Sequence, residues 1–182
     1  MNAGITAEDN RSELSAGSTV TLEITAYGSE GQGIARHNGM AVFVPGAICG
    51  ETVEAEIKKA APSFAEAKLQ KILRPSAERV IPPCPHYAEC GGCDILHMSY
   101  AEQLRMKRET VRSAMERIGG FRGIEVLPCI GADKPEHYRN KAVFQFANAE
   151  KTNKKNLRQV LSGYYEPVSY THLRAHETRS NL

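Results

Sequence analysis

Apolar and polar residues alternate along several short stretches in the first half of the chain. Between residues 19 and 27, Val20, Leu22 and Ile24 alternate with threonine and glutamate, as in a strand that buries one face. Four further stretches are predicted strands, of which the last two also alternate. The predicted strands cover residues 19–27, 33–37, 40–44, 52–58 and 65–73. The first half of the chain is therefore predicted to form an antiparallel β-structure.

The turns between these strands support a small barrel. Asn38 and Gly39 separate two apolar runs and favour a type I′ hairpin, in which both turn residues have positive φ. Pro45 and Gly46 mark another turn. The glycine-rich residues 28–33 are followed by a predicted strand and not by a helix, so they predict a barrel loop rather than a phosphate-binding loop. Five short antiparallel strands predict an OB-like barrel.

The second half of the chain changes to a helical pattern. Ser99 and Glu102 have the spacing of a capping box, and the glycines at 119–120 end the predicted helix of residues 99–119. Its predicted apolar stripe comprises Tyr100, Leu104, Val111, Met115 and Ile118. Further strands are predicted at 124–130, 141–147 and 159–165, as the start of a β-rich domain. The remaining residues are too few for a doubly wound nucleotide-binding domain.

Composition limits the class of protein. The chain has 182 residues, of which 41% are hydrophobic, and a formal net charge of +2. These values are typical of a globular protein and do not by themselves indicate a nucleic-acid partner. The sequence shows neither a secretory signal nor an apolar run long enough to span a membrane. We therefore expect a cytoplasmic protein without membrane contact, and a monomer.

Three of the five cysteines lie within ten residues, at positions Cys84, Cys90 and Cys93. Thiolates on a tight, glycine-rich loop suit an iron–sulfur cluster or zinc. In a reducing compartment such clustering favours metal binding over disulfides. We predict that these three residues are metal ligands, and that the metal holds a proline-rich segment that cannot form regular structure for long.

The residues alone leave the metal open. A cubane cluster takes four cysteines, and neither Cys49 nor Cys129 has a suitable spacing, so both are predicted to be small buried residues. His86 or His97 could instead complete a zinc site of three cysteines and one histidine, although each is more typical of a surface histidine.

Positive charge is concentrated between residues 134 and 158, a stretch that contains seven basic and two acidic residues. This strip predicts contact with RNA phosphates. Within it, an aromatic side chain stands among hydrogen-bond donors, as in proteins that bind single strands. Those residues are Tyr138, Arg139, Asn140 and Lys141. A weaker predicted RNA-binding face on the barrel comprises Arg36, His37, Lys58 and Lys68.

Residues 31–36, 44–46 and 50–51 together resemble a TRAM domain, a small RNA-binding barrel. The cysteine loop, the helix from Gln103 to Lys107 and the segment 138–141 follow in the order found in RNA uracil-5 methyltransferases acting on 23S ribosomal RNA. The resemblance spans residues 19–167. It implies RNA as the partner, and 23S ribosomal RNA in particular.

In that family the TRAM barrel, a four-cysteine [4Fe-4S] loop and a β-rich central domain precede a Rossmann-like domain that binds S-adenosylmethionine. There a cysteine attacks the uracil ring, the neighbouring carbon takes the methyl group, and a carboxylate removes the proton so that the cysteine can leave. No residue of this chain matches those catalytic or cofactor-binding motifs. The resemblance therefore implies cluster ligands at Cys84, Cys90 and Cys93, and no catalytic residue.

After Pro167 the sequence departs from the family, and the fourth cluster cysteine is predicted to lie in sequence lost at that point. Residues 168–182, including His172 and His176, resemble translated sequencing-adapter read-through and are predicted to be non-native. The predicted organisation is a tail at 1–17, the TRAM barrel at 18–76, the cysteine loop at 77–98, the helix and the start of the central domain at 99–167, and the non-native tail.

The leading prediction is the N-terminal part of an S-adenosylmethionine-dependent RNA uracil-5 methyltransferase, inactive alone because the catalytic domain is absent. An alternative is a self-standing TRAM RNA-binding protein with a zinc or iron–sulfur knuckle. A radical S-adenosylmethionine methylthiotransferase also combines a TRAM domain with a cluster. It fits less well, because its cysteine gaps are three and two residues, whereas the gaps here are five and two.

Overall fold

The computed structural model describes residues 14–138, 140–141, 143–152, 158–165 and 173–175. The chain divides into two compact units, Met1–Ala77 and Glu78–Leu182.

The first unit is a closed five-stranded barrel. Its strands are β1 Thr19–Tyr27, β2 Gly33–His37, β3 Met40–Val44, β4 Thr52–Ala60 and β5 Phe64–Arg74. They follow the order β1-β2-β3-β5-β4, and β1 closes the barrel by pairing with β4. The pairing of β3 with β5 is parallel, while the other pairings are antiparallel. The predicted OB-like barrel is confirmed, with β4 and β5 slightly longer than their sequence pattern indicated.

Strand alternation fills the barrel with small and β-branched side chains. The side chains that point inward are buried, whereas their neighbours along each strand point outward. The core includes Leu22, Ile24, Val42, Val44, Val53 and Ile57. Each such side chain contributes about 1.5–3 kcal/mol through burial. This packing explains why the alternating pattern predicted the strands well.

Glycines at both ends of β2 permit backbone geometry that a side chain would hinder. At the β2–β3 hairpin, Asn38 has φ 49° and Gly39 has φ 82°, as expected for two positive-φ turn residues. At the start of β2, a Cβ on Gly33 would lie 2.8 Å from both the Ala47 carbonyl oxygen and Cγ2 of Ile24. Gly33 therefore permits the close approach of the β3–β4 connection to β1.

In the second unit, the predicted helix is confirmed as α1, Tyr100–Arg117. The Ser99 hydroxyl oxygen accepts a hydrogen bond from the Glu102 backbone N–H at 3.2 Å, as in a capping box. In a complete capping box the Glu102 side chain would also accept a hydrogen bond from the Ser99 N–H, but here both groups have other partners. The Ser99 N–H donates to the Glu78 carbonyl oxygen at 2.8 Å, and the Glu102 carboxylate accepts from Nε of Arg105 at 2.6 Å. The helix start is thereby tied to the beginning of the cysteine loop, at Glu78.

The predicted apolar stripe of α1 is only partly buried, and Tyr100, Leu104 and Met115 are half-buried. The buried residues of α1 are Glu102 and Met106, whereas Val111 and Ile118 are exposed. The segment after the helix lies along its first half: the Tyr100 hydroxyl accepts from the Ala132 N–H at 2.7 Å. In the second half of the helix and at its C-cap, Val111 and Ile118 therefore remain exposed in the described structure, and Met115 is half-buried.

The strand predicted at 124–130 is absent from the described structure. Pro128 has no N–H for a strand ladder, and the carbonyl of Val126 accepts from Nε of Arg108 at 2.6 Å. Leu127 and Ile130 are exposed, so no sheet covers their side chains among the described residues. The alternation here was too irregular to distinguish a strand from an extended connection.

The strands of the second unit are β6 Gln145–Thr152, β7 Arg158–Tyr165 and β8 Leu173–Ala175, in the order β6-β7-β8. The strand predicted at 141–147 overlaps β6 only from Gln145, and that predicted at 159–165 agrees with β7. Strand β8 falls within the segment predicted to be non-native and pairs with residues 163–165. The origin of that segment stays a prediction. Its other residues, 168–172 and 176–182, lie outside the described structure, as do residues 1–13 of the predicted tail.

Within the described residues, no helix has both the length and the apolar character needed to cross a bilayer.

Candidate nucleic-acid interface

An aromatic pair lies on the outer face of the barrel, across strands β3 and β5. Phe43 stands between the buried Val42 and Val44, so its side chain points outward. It is in register with Glu66 of β5, and Phe64 lies two residues earlier on the same face. The two strands thus place these aromatic residues diagonally side by side.

The two rings meet nearly edge to face. Their centroids are 6.0 Å apart and their planes are inclined by 80°. Nζ of Lys59, on the neighbouring strand β4, lies 5.9 Å from the centroid of the Phe64 ring, a cation–π geometry. Both rings are half-buried, and Lys59 is exposed. We call Phe43, Phe64 and Lys59 the aromatic patch.

Two of the predicted RNA-binding lysines lie beside an acidic group. Nζ of Lys58 is 2.6 Å from Oε1 of Glu56, and Lys68 is the register partner of Glu56 on β5. The amide of Gln70 donates to the other oxygen of Glu56 at 2.7 Å. The hydrogen bond from Lys58 is the largest of the influences that hold the pKa of Glu56 below its ordinary value. The charge of Lys58 is therefore largely balanced locally.

The other two predicted barrel residues lie at the β2–β3 hairpin. Nη1 of Arg36 donates to the Gly39 carbonyl oxygen at 2.9 Å, and its side chain is exposed. His37 is half-buried and pairs across the hairpin with Met40. In register, Arg36 is opposite Ala41, which is opposite Phe64, so the guanidinium and the aromatic patch share the outer face.

The predicted RNA segment of the second unit is exposed where it is described. Tyr138 is 68% exposed, and Asn140 and Lys141 are also exposed. Arg139 lies outside the described residues, as do Lys154 and Lys155 of the basic strip. The role of this segment in RNA binding stays a prediction.

The cysteine loop is held by contacts within the protein. The Tyr87 hydroxyl, between Cys84 and Cys90 in sequence, donates to the Asp94 carbonyl oxygen at 2.9 Å and contacts Nδ1 of His97. Burial raises the pKa of Tyr87 to about 12. Further along, the Gly91 N–H donates to the carbonyl oxygen of Tyr165 at 2.9 Å. These bonds connect the two halves of the loop and tie it to the end of β7.

The donor chemistry of the loop suits a metal, but its arrangement does not. Cys84 and Cys93 are exposed and Cys90 is half-buried. Among the described residues, which include all three cysteines, no set of three or more His, Cys, Asp or Glu side chains is placed to hold a metal ion. The assignment of the cysteines as ligands stays a prediction, and no chemical step is derived through a metal.

The remaining candidate ligands are also placed by the structure. His97 is buried against Tyr87, so its description as a surface histidine is wrong, whereas His86 is exposed. Cys49 and Cys129 are half-buried, and the Cys49 N–H donates to the Tyr27 hydroxyl oxygen at 3.0 Å. Cys49 therefore lies in the packed β3–β4 connection.

Sequence reasoning missed the aromatic patch and Tyr87. The position of Phe43 between two inward valines was a signal for an outward aromatic residue. Phe64 and Lys59 could not be joined to it without the parallel pairing of β3 with β5, which no local pattern predicts.

The TRAM domain profile matches residues 13–70, which include all of β1–β4. A Clostridium tetani protein named an uncharacterized RNA methyltransferase is 44% identical over 153 residues, covering 84% of this chain and 32% of the relative. A Halalkalibacterium halodurans protein of the same description is 40% identical over 170 residues, covering 92% of this chain and 35% of the relative.

Among solved structures, a Pyrococcus abyssi tRNA (uracil-54, C5)-methyltransferase in complex with S-adenosyl-L-homocysteine is 27% identical, with a TM-score of 0.40, covering 59% of this chain and 23% of that chain. The chain spans about a third of the length of the two bacterial relatives. The chain therefore contains a TRAM domain, and over most of its length it is similar to proteins named RNA methyltransferases.

Proposed function

We propose that this chain supplies RNA binding to an S-adenosylmethionine-dependent uracil-5 methyltransferase that acts on 23S ribosomal RNA. The observation that carries the proposal is the closed TRAM barrel in a chain that aligns, over most of its length, with proteins named RNA methyltransferases. The ordered motifs at residues 31–51, 84–93 and 138–141 support the uracil-5 and 23S assignments.

Methyl transfer itself belongs to the whole protein. Uracil-5 chemistry needs a cysteine nucleophile, a carboxylate base and a bound methyl donor, and no residue of this chain matches those motifs. The chain contributes by holding RNA near the catalytic domain, so that a bimolecular encounter becomes an intramolecular one. On its own it is proposed to bind RNA without methylating it.

We further propose that the thiols of Cys84, Cys90 and Cys93 hold an iron–sulfur cluster. The support is their donor type and their spacing on a glycine-rich loop. Binding would require the side chains to draw together from their described positions. The cluster would organise the loop and takes no part in the methyl transfer proposed here.

Competition binding tests the substrate assignment. A labelled segment of 23S ribosomal RNA is bound to the purified chain and displaced with unlabelled 23S segments or with transfer RNA, at fixed salt. The proposal predicts that a 23S segment displaces the label at lower concentration than transfer RNA does. Equal displacement by both would contradict the 23S assignment and leave general RNA binding standing.

The alternative of a self-standing RNA-binding protein makes a different genetic prediction. Genomic DNA downstream of the codon for Pro167 should continue, under the proposal, into a cysteine and then a glycine-rich methyltransferase domain. An open reading frame that closes near Leu182 in the native genome would favour the self-standing protein.

A further inference from the structure

We infer that the aromatic patch is a stacking site for an unpaired base of single-stranded RNA, with the Lys59 ammonium on the flanking phosphate. This inference rests on the proposed RNA-binding function and assigns that function to particular side chains. The barrel face expected from the sequence comprised Arg36, His37, Lys58 and Lys68, and of these the inference keeps only Arg36.

The two rings of the aromatic patch lie outside the barrel core. Phe43 and Phe64 point away from a barrel core that is already filled by aliphatic side chains. Neither ring belongs to the core cluster, and both are only half-buried. An edge-to-face pair at 6.0 Å presents a fixed aromatic surface with little side-chain entropy left to lose on binding.

The cations beside the two rings suit a nucleic-acid ligand. Base–aromatic stacking tolerates any base, because every base has a π-face, and it is accompanied by cations that meet the phosphates. Lys59 is exposed and lies over the Phe64 ring, and Arg36 is exposed on the same outer face. An aromatic surface with flanking cations matches a polyanion with exposed bases better than it matches an apolar protein surface.

Lys58 and Lys59 are adjacent in sequence but have different contacts. Lys58 is balanced by Glu56 at 2.6 Å, whereas the described contact of Lys59 is with the Phe64 ring. Glu66 is the register partner of Lys59, and it is exposed to solvent. Of the two neighbouring charges, Lys59 is therefore the one positioned to bind a phosphate beside a stacked base.

The location of the aromatic patch agrees with the face on which OB-like barrels bind nucleic acid. OB-like barrels bind oligonucleotides on the face formed by their second and third strands. Phe43 lies on β3 beside β2, and Phe64 extends the same face onto β5. The proposed site is therefore continuous with the surface that this architecture presents to nucleic acid.

Fluorescence anisotropy of the full chain with labelled single-stranded RNA tests the site. The variants are Phe43→Leu and Phe64→Leu, which keep an apolar side chain without a π-face, Phe64→Tyr, which keeps the ring, and Lys59→Gln. Lys71→Gln, at an exposed lysine of β5, is the matched control. An abasic RNA of equal length and charge separates stacking from phosphate contacts. Thermal melts check that each variant is folded.

We expect Phe64→Leu to weaken binding by at least about 5-fold on ordinary RNA, with little change on abasic RNA. Phe64→Tyr should bind like the unmodified protein. Lys59→Gln should lower the dependence of log Kd on log salt by about 0.7, and Lys71→Gln should leave that slope unchanged.

The outcomes separate this inference from the proposed function. If the unmodified chain binds RNA but Phe64→Leu and Phe43→Leu both leave Kd within twofold, the stacking site is wrong and RNA binding stands. An equal loss on ordinary and abasic RNA would also overturn stacking. If the unmodified chain binds no RNA at low salt, the proposed function fails and the inference fails with it.

Discussion

Nζ of Lys58 lies 2.6 Å from Oε1 of Glu56 on the outer surface of β4. The two side chains leave the same strand face two residues apart, and the amide of Gln70 approaches the same carboxylate from β5. A lysine in such a pair must break its ion pair with the carboxylate before it can bind a phosphate. The pair therefore reduces the electrostatic attraction that the sequence indicated for this part of the barrel.

Replacing Lys58 should be visible at Glu56. Lys58→Gln removes the hydrogen bond and the charge that lower the pKa of the Glu56 carboxyl, so that pKa should rise toward its ordinary value. Carbon-detected NMR titration of the glutamate side chains measures the change. Lys71→Gln on β5 is the control and should leave Glu56 unaffected. An unchanged Glu56 pKa in Lys58→Gln would show that the pair does not persist in solution.

Glu51 should contribute strongly to barrel stability. Its side chain is fully buried, and its two carboxylate oxygens accept the backbone N–H groups of Ile48 at 2.9 Å and Ser76 at 3.3 Å. Glu51→Ala leaves buried donors unsatisfied and should lower the free energy of unfolding by about 2–4 kcal/mol, measured by urea denaturation.

A surface glutamate supplies the control for Glu51. The side chain of Glu23 is 68% exposed, and its ion pair with Arg74 spans 3.7 Å. Glu23→Ala should change the free energy of unfolding by less than about 1 kcal/mol. Equal losses in the two alanine variants would contradict a specific role for the buried carboxylate.

Two glycines of one connection should differ in their tolerance of alanine. The added Cβ of Gly33→Ala meets the Ala47 backbone oxygen at 2.8 Å, whereas that of Gly28→Ala meets the flexible Gln32 side chain. Gly33→Ala should destabilise the barrel by about 1–3 kcal/mol, and Gly28→Ala by much less. Chemical denaturation of both variants measures the difference, and a larger loss in Gly28→Ala would show that the close approach at Gly33 is wrongly assigned.

Anaerobic reconstitution with iron and sulfide tests the proposed cluster. The chain should turn brown and bind iron with sulfide, and Cys93→Ser should abolish that colour, with Cys129→Ser as the matched control. Stoichiometric zinc without iron would contradict the cluster. Binding of neither metal would leave the Tyr87 and Gly91 hydrogen bonds as the interactions that order the loop.

The barrel could be predicted from the sequence because its strands alternate cleanly and its hairpin carries Asn38 and Gly39. The start of α1 could likewise be predicted from Ser99 at the N-cap position. The failures occur where position depends on distant partners. Whether Val111 is buried depends on how far the following segment extends along the helix, and the Phe43–Phe64 pair depends on a parallel pairing between strands distant in sequence. Neither is encoded in a local pattern.

We propose above all that this chain binds single-stranded RNA in preference to duplex DNA, and equilibrium binding of the purified full chain to both labelled nucleic acids measures this preference. We expect saturable RNA binding in which log K falls linearly as log salt concentration rises, and weaker binding to duplex DNA of equal length. Binding to neither nucleic acid at low salt, or equal affinity for RNA and duplex DNA, would contradict it.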